Sequence, residues 1–465
     1  MKGQDKFNKF IRKHPHSHTI LTGRSYLTRR SFFQLAGASV GGFVLQGNAF
    51  SQNSGVVARG NPQLLNKAQN VIFILLTGAI SHTDTFDLKM VEGVTPTSFA
   101  PEKINGIDWP TGIMPNLAKQ LPDIAIARSV RSWALQHNLG QAWTQIARSP
   151  AAALGDIAPN IGSVIAAEKV NERRATDTFP FFLGLNANDM IGSGYLNAKF
   201  APVKFVPATS GFPDTNNTDG AARFDRKWEL LYKLDEVNRV KSPYHADMED
   251  FDGFYRSGKG MMFNPKVDAA FRYTAEESQR YGNSGFGNAC LTASKVLAQD
   301  QGTRYIQINF GGWDHHQNIY DAAVLPRLAG QLDAGLATLM TDLKASGLFE
   351  KTLIVMMGEF GRTVGALTAQ NGRDHYLQQF VAFAGAGVKG GRAIGATDES
   401  GRATAETGWS RERDIRVEDV DATIYSAIGV NYTNIRYDDP FQRGLEYIPY
   451  ADQDLYGPIQ ELWTA

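Results

Sequence analysis

Side chains of metal-ligand type follow several short apolar runs of this sequence. Seven of them are His82, Asp84, Asp314, His316, Glu359, Asp374 and His375. Imidazole combined with carboxylate is the donor set of zinc, manganese or iron sites, whereas calcium sites are built from oxygen. These residues predict a divalent metal site, with zinc as the first choice and manganese, iron or calcium as the others. The alternative is a buried polar network that only holds loops together.

Three further side chains are candidates for catalysis: Ser81, His137 and Arg362. A histidine at a helix start can bind a metal, shuttle a proton or accept a phosphoryl group. Arg362 or Arg373 would hold a phosphate or sulfate ester bidentately. Equally, either arginine could pair with Glu359 or Asp374 and fix a loop.

The elements that must position these residues are those of an α/β fold. Strands of a parallel sheet are predicted at residues 70–76, 178–183, 305–309 and 352–357, because these stretches are short, apolar and bounded by glycine or polar residues. Helices are predicted at 287–299 and, from leucines spaced by three and four, at 325–345. Strand, helix and strand in succession indicate a doubly wound, mainly parallel sheet with helices on both faces. Ligands bind such sheets beyond the carboxyl ends of the strands.

The N-terminus has the organisation of a twin-arginine signal peptide over residues 1–51. Arg29 and Arg30 precede a glycine-rich apolar run at 35–45, which is short of the ~20 residues that span a bilayer. We therefore expect recognition by the twin-arginine translocation machinery, a periplasmic or extracellular location and no stable transmembrane segment in the mature protein. Residues 65–455 are predicted to form one domain, with an irregular insertion near 186–260 that contains a possible helix at 225–237.

Composition excludes several classes of protein. Lysine plus arginine and aspartate plus glutamate both number 47, so no basic excess favours a nucleic-acid partner. Cys290 is the only cysteine. One thiol supports neither an internal disulfide nor a cysteine-based zinc site.

Several segments resemble the exported family known as domain of unknown function 1501. They are residues 78–89 (GAISHTDTFDLK), 280–282, 310–318 (FGGWDHHQN), 343–363 (LKASGLFEKTLIVMMGEFGRT), 372–375 (GRDH) and 419–430, and the likeness extends over about 68–450. That family is similar to the alkaline phosphatase and sulfatase superfamily, whose members bind divalent metals at strand ends and cleave phosphate or sulfate esters. The resemblance implies an alkaline-phosphatase-like fold.

The resemblance also implies roles for individual residues. Asp314 with His316 corresponds to one ligand pair, Glu359 to a ligand acid after a strand, and His375, with Asp374, to a late imidazole ligand. Residues 81–84 stand where the superfamily places its first acid. The usual family residues are replaced at Ile80, His315, Val364 and Tyr376.

The sequence departs most from the superfamily pattern at the position of the nucleophile. No sulfatase-type Cys or Ser followed by Pro and Arg is found, and residues 129–143 offer His137 where phosphatases carry Ser or Thr. A metal lowers the pKa of bound water to ~7, so hydrolysis does not require a protein nucleophile. Two functions stay open: a metal-dependent hydrolase of an anionic ester, and a non-catalytic exported protein that keeps the site for surface binding or assembly.

Overall fold

The computed structural model describes residues 55–464 except 188–190, 214, 216–217 and 241–244. The predicted signal peptide lies outside the described residues. Eight strands form the central sheet: β1 (Asn70–Leu75), β2 (Ile124–Arg131), β3 (Phe182–Leu185), β4 (Val203–Phe205), β5 (Tyr305–Asn309), β6 (Thr352–Met357), β7 (Gln378–Ala384) and β8 (Arg392–Ile394). Their order across the sheet is β8-β2-β7-β6-β1-β5-β3-β4. Only β7 runs antiparallel to its neighbours, so the predicted mainly parallel sheet is confirmed.

Helices cover both faces of this sheet. In the described part of the chain they are α1 (Pro115–Gln120), α2 (His137–Ile146), α3 (Ile161–Glu168), α4 (Ala221–Val240), α5 (His245–Met261), α6 (Pro265–Phe271), α7 (Ala275–Arg280), α8 (Gly285–Gln299), α9 (Leu325–Ala345) and α10 (Val417–Ala427). Alternate residues of β1 divide between the two faces. Ile72 and Ile74 pack in the core that contains α8 and α9, whereas Val71, Phe73 and Leu75 pack in the core that contains α3 and α10. The sheet is therefore doubly wound, and β1 is buried on both sides, which explains its uninterrupted apolar sequence.

Short strand pairs lie outside the central sheet. They join Asn434–Arg436 to Val56–Ala58 on one side and to Leu445–Glu446 on the other, Pro101–Ile104 to Ile107–Pro110, Gly361–Arg362 to His375–Tyr376, and Ala396–Thr397 to Thr404–Glu406. The pairing of Gly361–Arg362 with His375–Tyr376 holds His375 shortly before β7. None of the described helices is long and apolar enough to cross a membrane.

Two sequence expectations need correction. The strand predicted at 178–183 is β3, which begins at Phe182, because Pro180 has no N–H to donate to a ladder. The insertion near 186–260 is less irregular than expected, since α4 and α5 occupy most of its second half. The helix predicted at 225–237 lies inside α4. Helix α8 begins two residues before its predicted start, where the Ser284 hydroxyl accepts a hydrogen bond from the Gly287 N–H at 3.0 Å.

Candidate metal centre

Four side chains from three parts of the chain bring one ligand atom each to a common point at the carboxyl edge of the sheet. His137 is the first residue of α2, Asp314 and His316 follow β5, and His375 precedes β7. Their ligand atoms all lie within 4.8 Å of one another. We call these residues the four-donor cluster. His137, a candidate catalytic residue in the sequence, thus lies beside three of the predicted metal ligands.

Four of the six separations within the four-donor cluster are close to the edge length of a tetrahedral metal site. Asp314 Oδ1 lies 3.2 Å from His137 Nε2, 2.9 Å from His316 Nε2 and 3.6 Å from His375 Nε2. His316 Nε2 and His375 Nε2 are 3.1 Å apart. Donors placed 2.0–2.1 Å from a tetrahedral zinc ion are about 3.3–3.4 Å apart. These four separations are therefore compatible with an ion of that size.

Each imidazole of the cluster is oriented through its second nitrogen. The Nδ1–H groups of His137, His316 and His375 donate to Glu359 Oε1 at 2.7 Å, Asp374 Oδ1 at 3.0 Å and the Leu135 carbonyl at 2.6 Å. In the neutral rings, the proton on Nδ1 leaves a lone pair on each Nε2. The lone pair of His316 Nε2 faces Arg362 Nη1 at 3.3 Å as well as His375 Nε2 at 3.1 Å. This orientation by carboxylate and carbonyl acceptors is the usual environment of metal-binding histidines.

The charges around the cluster also favour a divalent cation. Asp314, Glu359 and Asp374 carry three negative charges, and Arg362, which pairs with Asp314, carries one positive charge. With neutral imidazoles, the group has two uncompensated negative charges. Glu359 is buried, so its charge is weakly screened by solvent. One divalent ion would neutralise the group.

The pKa values reflect the same surroundings. The hydrogen bond to Glu359 raises the pKa of His137 despite partial burial, whereas burial lowers the pKa of His375 even though Leu135 accepts its proton. Burial alone would raise the pKa of Asp314. The hydrogen bond and charge of Arg362, with the nearby imidazoles, outweigh burial and lower that pKa to about 2. Asp314 is therefore ionised at neutral pH, as a ligand must be.

Two of the predicted ligands hold the imidazoles instead of joining the cluster. Asp374 accepts from His316, and Glu359 accepts from His137, from the Gly78 N–H at 2.9 Å and from Gln141 Nε2 at 3.0 Å. Because Glu359 Oε1 already accepts three hydrogen bonds, its role is to fix α2 and the loop after β1 against β6. Both acids therefore contact imidazoles of the four-donor cluster and are not members of it.

The other two predicted ligands, His82 and Asp84, lie apart from the cluster. His82 is fully buried and its Nε2–H donates to the Gly401 carbonyl at 2.9 Å. Asp84 is bound by Arg373 Nε at 2.7 Å and by the Tyr320 hydroxyl at 2.8 Å. The contacts of Asp84 occupy both of its carboxylate oxygens, whereas His82 Nδ1 is buried and has no hydrogen-bond partner among the described residues. Neither residue belongs to the four-donor cluster.

The candidate catalytic residues Ser81 and Arg362 have structural partners. The Ser81 hydroxyl donates to Asp84 Oδ2 at 2.6 Å. Arg362 is fully buried and donates to the carbonyls of Gly78, Ala79 and Arg373 as well as to Asp314. In this conformation Arg362 has no exposed N–H group for a substrate anion. Arg362 pairs with Asp314 and Arg373 pairs with Asp84, so the suggested pairing with Glu359 or Asp374 is not observed.

Residues that sequence reasoning missed build the floor of the site. Gly78 has a φ of +100°, and a Cβ there would lie 2.7 Å from the Asp314 backbone nitrogen. Its N–H binds Glu359 and its carbonyl binds Arg362, so this glycine is required by both its φ and the close approach. Gln141 and the Leu135 carbonyl have equally direct roles. The position of Gly78 directly after a strand could have indicated its role from the sequence. The role of the Leu135 backbone carbonyl leaves no such signal in the sequence.

The family model described as "Protein of unknown function (DUF1501)" matches residues 68–443. The chain belongs to the DUF1501 family. This confirms the resemblance found in the sequence. No curated protein matches this DUF1501 protein significantly.

Solved structures similar to this DUF1501 protein share little sequence with it. The lipoteichoic acid synthase LtaP of Listeria monocytogenes is 11% identical, with 81% of this chain and 76% of that chain covered and a TM-score of 0.38. The PsFucS1 sulfatase of a Pseudoalteromonas species is 12% identical, with coverages of 78% and 68% and a TM-score of 0.37. An alkaline phosphatase superfamily protein of Vibrio parahaemolyticus is 11% identical, with coverages of 87% and 76% and a TM-score of 0.33. Similarities this low leave the activity of the DUF1501 protein to be argued from its own residues.

Proposed function

We propose that this DUF1501 protein is an exported, metal-dependent hydrolase of a phosphate ester, a sulfate ester or a related anionic ester, with zinc as the metal. The observation that carries the proposal is a metal-donor set open to solvent. The side chains of Asp314 and His316 are 47% and 41% exposed, whereas structural zinc sites are closed by their four protein ligands. An open site leaves room for a substrate.

The chain supplies three features that suit an anionic ester. Asp314, His316 and His375 would hold the ion, and the proton on Nδ1 of His137 leaves Nε2 able to accept another proton. Helix α2 begins at His137, so its positive end lies beside the cluster and favours an anion. When bound, the metal would polarise the ester oxygen and lower the pKa of water at the site.

His137→Ala distinguishes a catalytic His137 from a ligand. If three residues hold the metal and His137 transfers the proton, the variant keeps its zinc while hydrolysis falls about 10²–10⁴-fold. The measurements are zinc content and turnover of nitrophenyl phosphate monoesters, diesters and sulfate esters. His315→Ala is the control, because His315 lies beside the cluster without belonging to it. Loss of zinc together with activity would instead make His137 the fourth ligand.

A non-catalytic metal-binding protein is the second candidate. It is favoured by the presence of four protein donors, which suffice to complete a tetrahedral shell, and by the full use of Arg362 by protein acceptors. Zinc-loaded wild-type protein that hydrolyses none of the esters would support this candidate over the hydrolase.

Export through the twin-arginine route is part of the proposal and rests on residues 1–51 of the sequence. Changing Arg29 and Arg30 together to lysine is expected to retain the precursor in the cytoplasm, because the receptor must distinguish a planar guanidinium from an ammonium group. Cell fractionation followed by immunoblotting measures the distribution. Normal export of the double lysine variant would contradict this route.

A further inference from the structure

Helix α4 packs against the protein through an aromatic side. Phe224, Trp228 and Tyr232 follow one another at steps of four, so they lie on the same side of the helix. The Phe224 ring lies 5.8 Å from the Phe263 ring, and the Trp228 ring lies 6.0 Å from the ring of Tyr255 in α5. These contacts attach α4 to the protein.

A second side of α4 carries an exposed apolar patch. Leu230, Leu231 and Leu234 are 58%, 41% and 71% exposed. Residues three and four apart are neighbours on a helix surface, so the three side chains are contiguous. Single exposed apolar side chains are normal on a protein surface, whereas contiguous patches rimmed by polar residues mark a contact with a partner or a membrane.

Basic side chains surround the three leucines. Arg223, Arg226, Lys227 and Lys233 are all exposed. At about 100° per residue, these four residues and the three leucines fall within an arc of about 160°. We call the seven residues the basic leucine face. Asp219 pairs with Arg223 at 3.5 Å and with Lys227, so positive charge still predominates on this face.

The three acidic residues between Ala221 and Asp235 lie outside the basic leucine face. The same helical geometry places Asp225, Glu229 and Asp235 on the remaining part of the circumference, together with the aromatic residues. Asp225 pairs with Lys259 of α5 at 3.1 Å. This segregation makes one side of α4 positive, although the whole chain has no formal net charge.

We propose that the basic leucine face binds the surface of a bilayer that contains anionic phospholipid. The leucines would enter the boundary between headgroups and acyl chains, which amphipathic helices reach to a depth of about 5–10 Å. The arginines and lysines would extend their aliphatic stems along this boundary and keep their charges at the lipid phosphates. Helix α4 would therefore lie on the membrane, and the proposal does not depend on hydrolase activity.

Other occupants fit the basic leucine face less well. A second copy of the chain, related by a two-fold axis, would bring the same four cations against each other. A nucleic acid would bind the cations and leave the leucines in water. A lipid surface satisfies both the charge and the apolar area.

Sedimentation of the mature protein with lipid vesicles tests the proposal. Binding to phosphatidylglycerol vesicles is expected to be at least about tenfold tighter than binding to phosphatidylcholine vesicles, because each cation near an anionic surface contributes about 1 kcal/mol. Sodium chloride at about 0.5 M should weaken the binding to phosphatidylglycerol, because salt screens these charges. Wild-type protein that sediments with neither kind of vesicle, or equally with both, would overturn the proposal.

Substitution of two leucines locates the contact. Leu230→Ser combined with Leu234→Ser is expected to weaken binding to phosphatidylglycerol vesicles by at least about tenfold, because burial of one leucine contributes about 1.5–3 kcal/mol. Both side chains are exposed, so the melting temperature should not change. Leu455→Ser is the matched control, since Leu455 is 47% exposed and lies outside α4, and it should bind as the wild type does.

Two results with these proteins would refute the membrane contact. One is undiminished vesicle binding by the double leucine variant. The other is wild-type protein that forms a dimer in solution and does not bind vesicles, while the double variant is monomeric. That result would assign the basic leucine face to a second copy of the chain.

Discussion

His375→Ala is expected to lower zinc affinity by at least about 100-fold, because even outer partners of metal ligands typically contribute 10–100-fold. His375 Nε2 lies 3.1 Å from His316 Nε2, and its Nδ1–H is fixed on the Leu135 carbonyl. Removing the ring would open one corner of the donor set. Metal analysis after dialysis against a weak chelator measures the loss directly.

The same variant changes the response of stability to chelation. Metal present at about 100 times its dissociation constant stabilises the folded state by about 2.7 kcal/mol, so a strong chelator should lower the melting temperature of the wild type by several degrees. In His375→Ala most of that difference should disappear. His315→Ala serves as the control, because it removes a neighbouring imidazole outside the cluster, and it should behave as the wild type. A wild-type melting curve that chelation leaves unchanged would favour the polar network without metal.

Arg373→Met is expected to destabilise the fold by about 3–5 kcal/mol, because it leaves a buried carboxylate without its counter-ion. Arg373 and Asp84 are both 0% exposed, and Arg373 Nε lies 2.7 Å from Asp84 Oδ2. Arg373 also donates to the carbonyls of Thr363 and Gly365, so its loss frees two further acceptors. Urea unfolding of the wild type and the variant gives the difference in free energy of unfolding.

Two comparisons isolate the ion pair from a general effect of the substitution. The double variant Asp84→Asn with Arg373→Met should be less destabilised than Arg373→Met alone, since the uncompensated charge is gone. Lys103→Met removes the exposed pair with Asp108, whose side chains are 65% and 51% exposed, and should cost less than about 1 kcal/mol. A cost for Arg373→Met as small as that for Lys103→Met would show that the buried pair contributes little.

Local pattern in the sequence predicted most of the core elements. Strands β5 and β6 and helix α9 occur at the predicted bounds, and β1 differs by one residue. The spacing of apolar residues along a buried strand or an amphipathic helix shows which of its faces are buried, and this spacing can be read directly from the sequence. The strand at 178–183 was displaced where Pro180 interrupted an otherwise suitable pattern.

Residue type and position also predicted four of the side chains that lie together at one edge of the sheet. His137, Asp314, His316 and His375 were all named from their places after strands or at a helix start, and parallel strands align their carboxyl ends. This rule predicts the edge of the sheet at which the side chains lie, and it does not predict which ligand atoms meet there. His82 and Asp84 obey it equally well and yet lie apart from the cluster.

Only the tertiary structure determined which side chains form the four-donor cluster and which groups orient its imidazoles. Asp84 and Arg373 are 289 positions apart, and no local pattern records their pairing. Likewise, the three acceptors that orient the imidazoles come from Glu359, Asp374 and a backbone carbonyl at Leu135. The sequence by itself determined the layers of the fold and the chemistry available at one edge. The division into candidate metal donors, acids that contact them and a buried ion pair depends on ångström-scale distances, which the order and register of non-adjacent strands determine.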